Sequence, residues 1–504
     1  MAVEAKSGSG QVSLADQPRT MGIFSMTLFA VSAMITLDTV AISSALGVES
    51  ITLFVLFAII FFVPYGLITA ELGSGWPEEG GIYVWVREAY GQRWGTFTAW
   101  LYWVNVAYWA PAVFVLFAGT LSAAFWGGMS QTSAEIIVIA LIWLMVLIGV
   151  LPMSLSKWVN SASAAVKVLV LVVLGAMGLA YAVHHGTANS FSPGKWVPTF
   201  SSNWSFMPII VYNFMGFELM SSAAGAVKNP KRDIPRMLLM AGVVIVAAQL
   251  IGNFGILATI PLKKLSIVTG MAQAMKLSFH TVLGSAATPV YDLFIVLLLF
   301  TLMGNMVTWS IGANHSMAAT GLDRSAPGVF GHVNRRFMTP DYAFVLMGVL
   351  ATALTIINYS FFATRESVFW SIFALSSIVF LFPYLLMFPS LIVLRNKQPD
   401  RPRPYRVPFN RGGAWLSVLL TTGGVMFAIT LFFYLVPTGT PRATYWWVTG
   451  GGTALSMVVG WWLAQRISAD GTVPASPRPG AGPADEVLPP ELVALGKGNS
   501  TSLF

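Results

Sequence analysis

Apolar residues run along this chain in long blocks, separated by short breaks that are charged or rich in glycine and proline. A helix needs about 20 apolar residues to cross the roughly 30 Å hydrocarbon layer of a bilayer, and the blocks match that length. They predict spans near 22–47, 51–75, 93–126, 133–153, 158–184, 203–226, 237–260, 283–312, 341–358, 367–394, 413–436 and 443–465. The fold class expected is therefore an all-α integral membrane protein with twelve transmembrane helices. Between the second and third spans, the stretch from Gly75 to Arg87 is too polar to cross and too patterned to be slack. It predicts a turn followed by a short amphipathic helix at the membrane surface.

The first block follows a polar tail, 1–20, and is longer than a signal-peptide core. No small-residue cleavage site follows it, so it is expected to be a retained helix. Spans one to ten would occupy 21–395 and the last two 396–466, with a cytoplasmic tail at each end. Beyond Arg466 the chain turns to Pro, Gly, Ala and Ser, as in the run from Thr472 to Gly480. Such a segment cannot bury enough apolar surface to fold alone, so 467–504 is expected to be disordered.

Composition agrees with the blocks. Hydrophobic residues make up 56% of the 504 residues and charged ones only 10%, against about a quarter charged in an ordinary soluble domain. The formal charge of +8 calls for no nucleic-acid partner, because its excess follows one set of loops. Lys6, Arg19, Arg87, Arg93, Lys157, Lys228, Lys231, Arg232, Arg324, Arg335, Arg395, Arg401 and Arg411 all fall on the side shared with the termini. The opposite loops hold only Lys195, Lys263, Lys264, Lys276, Arg365 and Arg442. Positive charge collects on the cytoplasmic side, so both termini are expected there, in an inner or plasma membrane. The chain has no cysteine, which excludes thiol catalysis and a disulfide-linked partner subunit.

Candidate chemistry lies inside the spans. Asp38 falls in the first and Glu218 in the sixth, and an ionised group at bilayer depth costs at least about 2.5 to 3.5 kcal/mol. The sixth span is also interrupted halfway, at Asn213, Phe214, Met215, Gly216, Phe217 and Glu218. Glycine relaxes the helix there, and backbone groups so freed need other partners. A packing glycine with an internally satisfied Glu218 is the plain alternative. The five histidines lie at span ends or in loops without metal-ligand spacing. No nucleophile motif or phosphate loop is present, so neither an enzyme, a cofactor nor a metal is expected.

The segment from Phe214 to Glu218, continuing through Ser221, Gly225, Lys228, Asn229 and Pro230 to Pro235, resembles the sixth-helix signature of the amino acid-polyamine-organocation transporters. Ala70 to Leu72, Glu78 to Gly81 and Tyr90 to Gly95 are similar to the second-helix end and first cytoplasmic loop of that superfamily, particularly its bacterial glutamate/GABA antiporter branch. The resemblance implies a five-plus-five inverted repeat in which helices one and six are broken at the midplane. It implies secondary transport of an amino acid or organic amine by alternating access, proton-coupled or by exchange, in a monomer or homodimer. The solute would meet Thr36, Asp38, Ala41 and Ser43 of span one and Tyr212, Asn213, Gly216 and Glu218 of span six. Asn105, Tyr108 and Trp109 fall on span three and Asn305 and Trp309 on span eight, spans that line the pocket in that family, though Trp and Tyr are also common as interfacial anchors. Lys167 stands where relatives bind sodium, which leaves Asp38, Lys167 and Glu218 as candidates for ion coupling. A solute sensor that no longer transports, or a channel, remains an alternative.

One departure matters. The usual first-helix break is a glycine-rich run whose amides hold a substrate carboxylate, yet no glycine occurs between Ile35 and Ser44. A carboxylate at Asp38 instead repels an anion and attracts an ammonium, which favours an amine or a cationic side chain. Pairing with Lys167 and a proton relay are the other readings of Asp38.

The lysine and arginine asymmetry yields a first test. Single cysteines placed at Ser476 and Ser325 should be shielded from an impermeant thiol reagent in intact cells, and one at Ser190 should react. Labelling at Ser476 from outside would reverse the orientation.

Overall fold

The computed structural model describes residues 27, 31, 34–76, 81–151, 153–200, 202–220, 230–322, 327–334, 336–337, 339–437 and 440–465. Every regular element among them is helical. In chain order these are α1 (Val40–Ser44), α2 (Glu49–Gly75), α3 (Ile82–Tyr90), α4 (Gln92–Leu121), α5 (Gln131–Val150), α6 (Met153–His185) and α7 (Pro208–Tyr212). There follow α8 (Pro230–Thr259), α9 (Gly270–Leu283), α10 (Ala287–Leu322), α11 (Asp341–Phe361), α12 (Arg365–Lys397), α13 (Asn410–Tyr434) and α14, the run 442–465. Among the described residues, nine segments are long and apolar enough to cross a membrane. The expected tails, 1–20 and 467–504, lie outside the described residues.

The apolar blocks became helices because no water reaches the hydrocarbon layer, so every backbone N–H and C=O must pair within its own segment. Burial then ranks the helices. In α4 nearly every residue from Ala99 to Thr120 is buried, Tyr108 and Phe117 being the main exceptions, and in α12 nearly every one from Ser367 to Leu381. These two pack on each other at the centre of the bundle. By contrast α5, α6 and α13 expose Ile136, Leu147, Leu179, Val183, Leu416 and Leu419 along one side, as helices facing lipid do.

The amphipathic helix expected after the second span is α3. Ile82, Tyr83, Trp85, Val86 and Ala89 are buried, and Lys397 at the end of α12 donates to the Ala89 carbonyl at 2.7 Å. The helix α9 has no counterpart among the expected spans. Its buried residues Met271, Ala274, Met275 and Ser278 repeat at helical spacing, but Gln273 and Lys276 keep its average polarity too high to look like a crossing.

Helices α6 and α8 approach closely through glycines. A Cβ added at Gly178 would lie 2.6 Å from the Gly255 Cα, and one at Gly255 would lie 2.7 Å from the Leu174 carbonyl oxygen. Backbone atoms cannot give way as a side chain can, so small residues are obligatory at this seam.

Gly178→Ala should therefore lower the melting temperature of the detergent-purified protein, by the roughly 1 to 3 kcal/mol typical of overpacking. Gly412→Ala, where an added Cβ meets nothing within 4 Å, should leave it unchanged. Equal melting of the two variants would show that the seam tolerates separation.

Candidate functional site

The interruption read in the sixth span and the break that the resemblance implies in the first are both real breaks in helix. In the first span, Ile35 and Thr36 leave the helix, Leu37–Thr39 forms a 3-10 turn and α1 resumes at Val40. Thr36 is extended, with φ −113° and ψ 118°. That conformation is open to any residue, which is why this break needs no glycine. In the sixth, α7 ends at Tyr212, Met215 and Gly216 are non-helical, and Phe217–Met220 forms a 3-10 turn. Gly216 has φ +106°, where a side chain is strained, and a Cβ there would sit 3.3 Å from the Trp309 ring. The remainder of the sixth-helix signature, 221–229, lies outside the described residues.

The breaks are tied to each other. The Asn213 side-chain oxygen accepts from the Thr39 hydroxyl at 2.6 Å and from Thr36 at 3.3 Å, while Thr39 is also placed to donate to the Thr36 carbonyl at 3.1 Å. Hydroxyls of one broken span thus take up polar groups of both. The loss of helix is compensated inside the protein, as the bilayer requires.

Asp38 lies fully buried immediately after the first break. Its Oδ2 accepts the Trp109 indole N–H at 3.0 Å, while Oδ1 is buried without a hydrogen-bond partner. Trp109 packs edge-on to Trp309 with centroids 5.4 Å apart and to Tyr212 at 6.1 Å, and Phe380 lies 5.9 Å from Trp309 and 5.7 Å from Tyr212. Four rings from α4, α7, α10 and α12 therefore gather beside one carboxylate. Asn105 (both amide atoms), the Asn213 amide nitrogen and the Trp309 indole nitrogen are likewise buried and unpartnered. A buried polar atom left unpaired costs about 1 to 3 kcal/mol, so the unpaired atoms of Asp38 and of Trp309, whose ring packs on the indole bonded to Asp38, mark a place suited to a polar ligand.

Glu218 has the opposite surroundings. Its Oε2 accepts the Tyr65 hydroxyl, and its Oε1 accepts Tyr102 at 3.0 Å and Tyr384 at 2.7 Å. The Tyr65 oxygen in turn accepts the Phe217 amide at 2.9 Å. Four elements, α2, α4, α12 and the second half of the sixth span, thus meet at one carboxylate. Tyr102 and Trp109 are seven residues apart on one face of α4, so the two acids are separated by about 10 Å along it.

The other residues read from the sequence divide. Thr36, Asn213, Tyr212, Gly216 and Trp309 converge with Asp38. Lys167 donates to the Asn305 side-chain oxygen at 2.7 Å and stands within electrostatic reach of Asp38. Ser43 and Ser44 both donate to Asn253 of α8, at 3.0 and 2.9 Å, and Ala41 lies against Gly270 of α9. Tyr108 points away, its hydroxyl 3.0 Å from that of Ser456 in α14. Tyr65, Tyr102, Trp109, Phe380 and Tyr384 complete the two clusters. Of these, Trp109 falls on an expected pocket-lining span; for the other four the one sequence signal is helical spacing on α2, α4 and α12, which buried core residues share.

A buried polar site between two broken membrane helices is the arrangement of a solute carrier. Residues 21–461 match the family model described as amino acid permease, and the chain belongs to that family. It is 31% identical to a probable agmatine/putrescine antiporter of Lactococcus lactis, over 82% of this chain and 88% of that one. It is 26% identical to a polyamine transporter of Oryza sativa over 75% of this chain and 67% of that one. It is also 23% identical to a glutamate/gamma-aminobutyrate antiporter of Lactococcus lactis, over 82% and 83%. The protein is a multi-pass membrane transporter and not an enzyme.

The tyrosine cage predicts how Glu218 behaves. Glu218→Gln should stay folded and strongly impair transport or flatten its pH dependence, while Tyr384→Phe removes one hydrogen bond to a carboxylate, worth about 1.5 to 3 kcal/mol. Initial transport rates across a pH series check this. Wild-type rates with an unchanged profile in Glu218→Gln would reduce Glu218 to a packing residue.

Proposed function

We propose that the protein carries a cationic organic amine, or an amino acid with a cationic side chain, by alternating access. The observation that carries this reading is the unpartnered Asp38 Oδ1 beside Trp109, Tyr212, Trp309 and Phe380. A carboxylate neutralises an ammonium, and aromatic faces attract a cation by about 0.5 to 2 kcal/mol each, more when water is excluded. The glycine-poor first break offers no run of amides for a substrate carboxylate. The printed names of two relatives, an agmatine/putrescine antiporter and a polyamine transporter, point the same way.

In this reading the nine apolar segments, with the broken first and sixth spans and α14, make twelve helices in a five-plus-five inverted repeat, both termini cytoplasmic. Spans one and six hold the solute and rock against spans three, four, eight and nine. The Glu218 cage joins four elements in the closed arrangement, and its opening would release the solute to one side. Lys167 in place of a sodium site favours proton coupling or exchange, with Asp38, Lys167 and Glu218 as the titrating groups. A monomer or homodimer suffices, because every residue of the site comes from one chain.

Asp38→Asn should weaken amine binding by about 10-fold to 150-fold, the loss of a charge-assisted hydrogen bond, with little change in stability without ligand. Affinity comes from thermal shift with putrescine, agmatine and arginine, and flux from counterflow in proteoliposomes. If Asp38 serves chiefly to pair with Lys167, Asp38→Asn destabilises the ligand-free protein and Lys167→Met rescues it. Unchanged affinity together with rescue would overturn the substrate contact. Binding without flux in the wild type would identify a sensor.

A further inference from the structure

Between the end of α12 and the start of α13, and packed against the end of α2, residues 395–411 carry Arg395, Lys397, Arg401, Arg403, Arg406 and Arg411 against the single acid Asp400. Prolines 399, 402, 404 and 408 stiffen the segment. Some of these cations serve the fold. Arg395 binds the buried Glu71 through Nε at 2.8 Å and Nη2 at 2.5 Å, and Arg401 donates to the Gly75 carbonyl at 2.7 Å and lies over the Trp76 ring. Glu71 also accepts the Val407 amide at 2.7 Å, so it has little capacity left for another arginine.

Arg403 is left over. Its Nη2 reaches the Pro399 carbonyl at 2.9 Å, but Nε and Nη1 are shielded from solvent and have no hydrogen-bond partner. Burial first, opposed by the nearby Glu71 and reinforced by Arg406 and Arg395, holds its guanidinium below the usual arginine range. The acid near this cation is Glu71, whose oxygens are already engaged by Arg395 and the Val407 amide. Beside it Arg406 is exposed, and Phe409 is 90% exposed with a left-handed φ of 62° that projects its ring at the head of α13. An exposed ring held in a strained conformation at the membrane boundary suits insertion among lipids.

A second observation lies on the same pair of helices. An apolar groove of about 290 Å³ opens between Phe57, Ile60 and Phe61 of α2 and Leu419, Gly423 and Phe427 of α13. A Cβ at Gly423 would meet nothing within 4 Å, so this glycine leaves the groove open. From Arg411 to residues 419–427 the helix rises about 12 to 24 Å, which spans the roughly 15 Å depth of one leaflet's hydrocarbon.

We propose that the α2–α13 seam binds an anionic phospholipid, with its phosphate at Arg403 and Arg406 and one acyl chain in the groove. A guanidinium matches phosphate oxygens in a fork, and basic clusters beside membrane helices attract anionic headgroups. The groove and Phe409 select a lipid over free phosphate, which would use the arginines alone.

The test measures thermal stabilisation of the full-length protein in detergent as dioleoylphosphatidylglycerol, dioleoylphosphatidylcholine or inorganic phosphate is titrated in. Phosphatidylglycerol should stabilise the wild type and the other two should not. Arg403→Gln and Arg406→Gln should each weaken the apparent phosphatidylglycerol affinity about fivefold. Gly423→Leu, whose Cβ meets nothing within 4 Å, places its side chain at the groove and should weaken that affinity while leaving both arginines in place. Arg406 is exposed, so its variant remains readable even if Arg403→Gln does not fold. Equal stabilisation by phosphatidylcholine or by inorganic phosphate would overturn the proposal, as would wild-type affinity in both Arg406→Gln and Gly423→Leu.

Discussion

The architecture of this transporter depends on one carboxamide oxygen. Asn213 accepts from Thr39 at 2.6 Å and Thr36 at 3.3 Å, and so joins the two helices that are broken at depth in the bundle. A bilayer permits unwound backbone only where protein, water or solute replaces the missing hydrogen bonds. Here the Thr36 carbonyl is met by Thr39 of its own break and the Phe217 amide by Tyr65 of α2, while the side-chain bonds of Asn213 link the two breaks to each other. The residues around them, Asp38 and Tyr212 among them, gain fixed positions from that link.

The two buried acids show how different surroundings divide their roles. Glu218 is saturated by the hydroxyls of Tyr65, Tyr102 and Tyr384, so it holds elements together and offers little to a ligand. Asp38 has one oxygen on Trp109 and the other unpaired, among aromatic rings. Charge that is satisfied stabilises an arrangement; charge that is half satisfied waits for a counter-ion. Both acids reach the same face of α4, through Tyr102 and Trp109, and that rigid central helix sets the distance between them.

Much of the fold was legible in the sequence. Apolar blocks of bilayer length predicted α2, α4, α5 and α11 to α13 within a few residues, while α10 runs ten residues past its expected end, to Leu322. Helix is lost at 213–216, where the residues showed an interruption, and at 35–36, in the span where the family resemblance implied one. The helix α9 was not legible, because its apolar residues occupy only one face and its average polarity hides them. At the site, Asp38, Asn213, Gly216 and Glu218 announced themselves because charge, amide and glycine are costly or unusual in hydrocarbon. Tyr65, Tyr102, Phe380 and Tyr384 did not, since an aromatic residue within an apolar helix has the same pattern whether it faces a ligand, a core or lipid, and Trp109 stood out only by lying on a helix that lines the pocket in the resembling family.

The sequence by itself determined that this chain crosses a membrane many times, that its sixth span is interrupted, and that two acids lie within its spans. Those are local properties, set by the hydrocarbon's thickness and its intolerance of charge, and each can be read from a window of about 20 residues. Only the tertiary structure decided which acid is satisfied. Tyr65, Tyr102 and Tyr384 lie on three different helices, up to 166 residues from Glu218, and Tyr108 turns to Ser456 while Trp109 turns to Asp38. Helix rotation makes that choice. A shift of one residue turns a side chain by about 100°, and what fixes the rotation is packing between helices distant in sequence, which no local window contains.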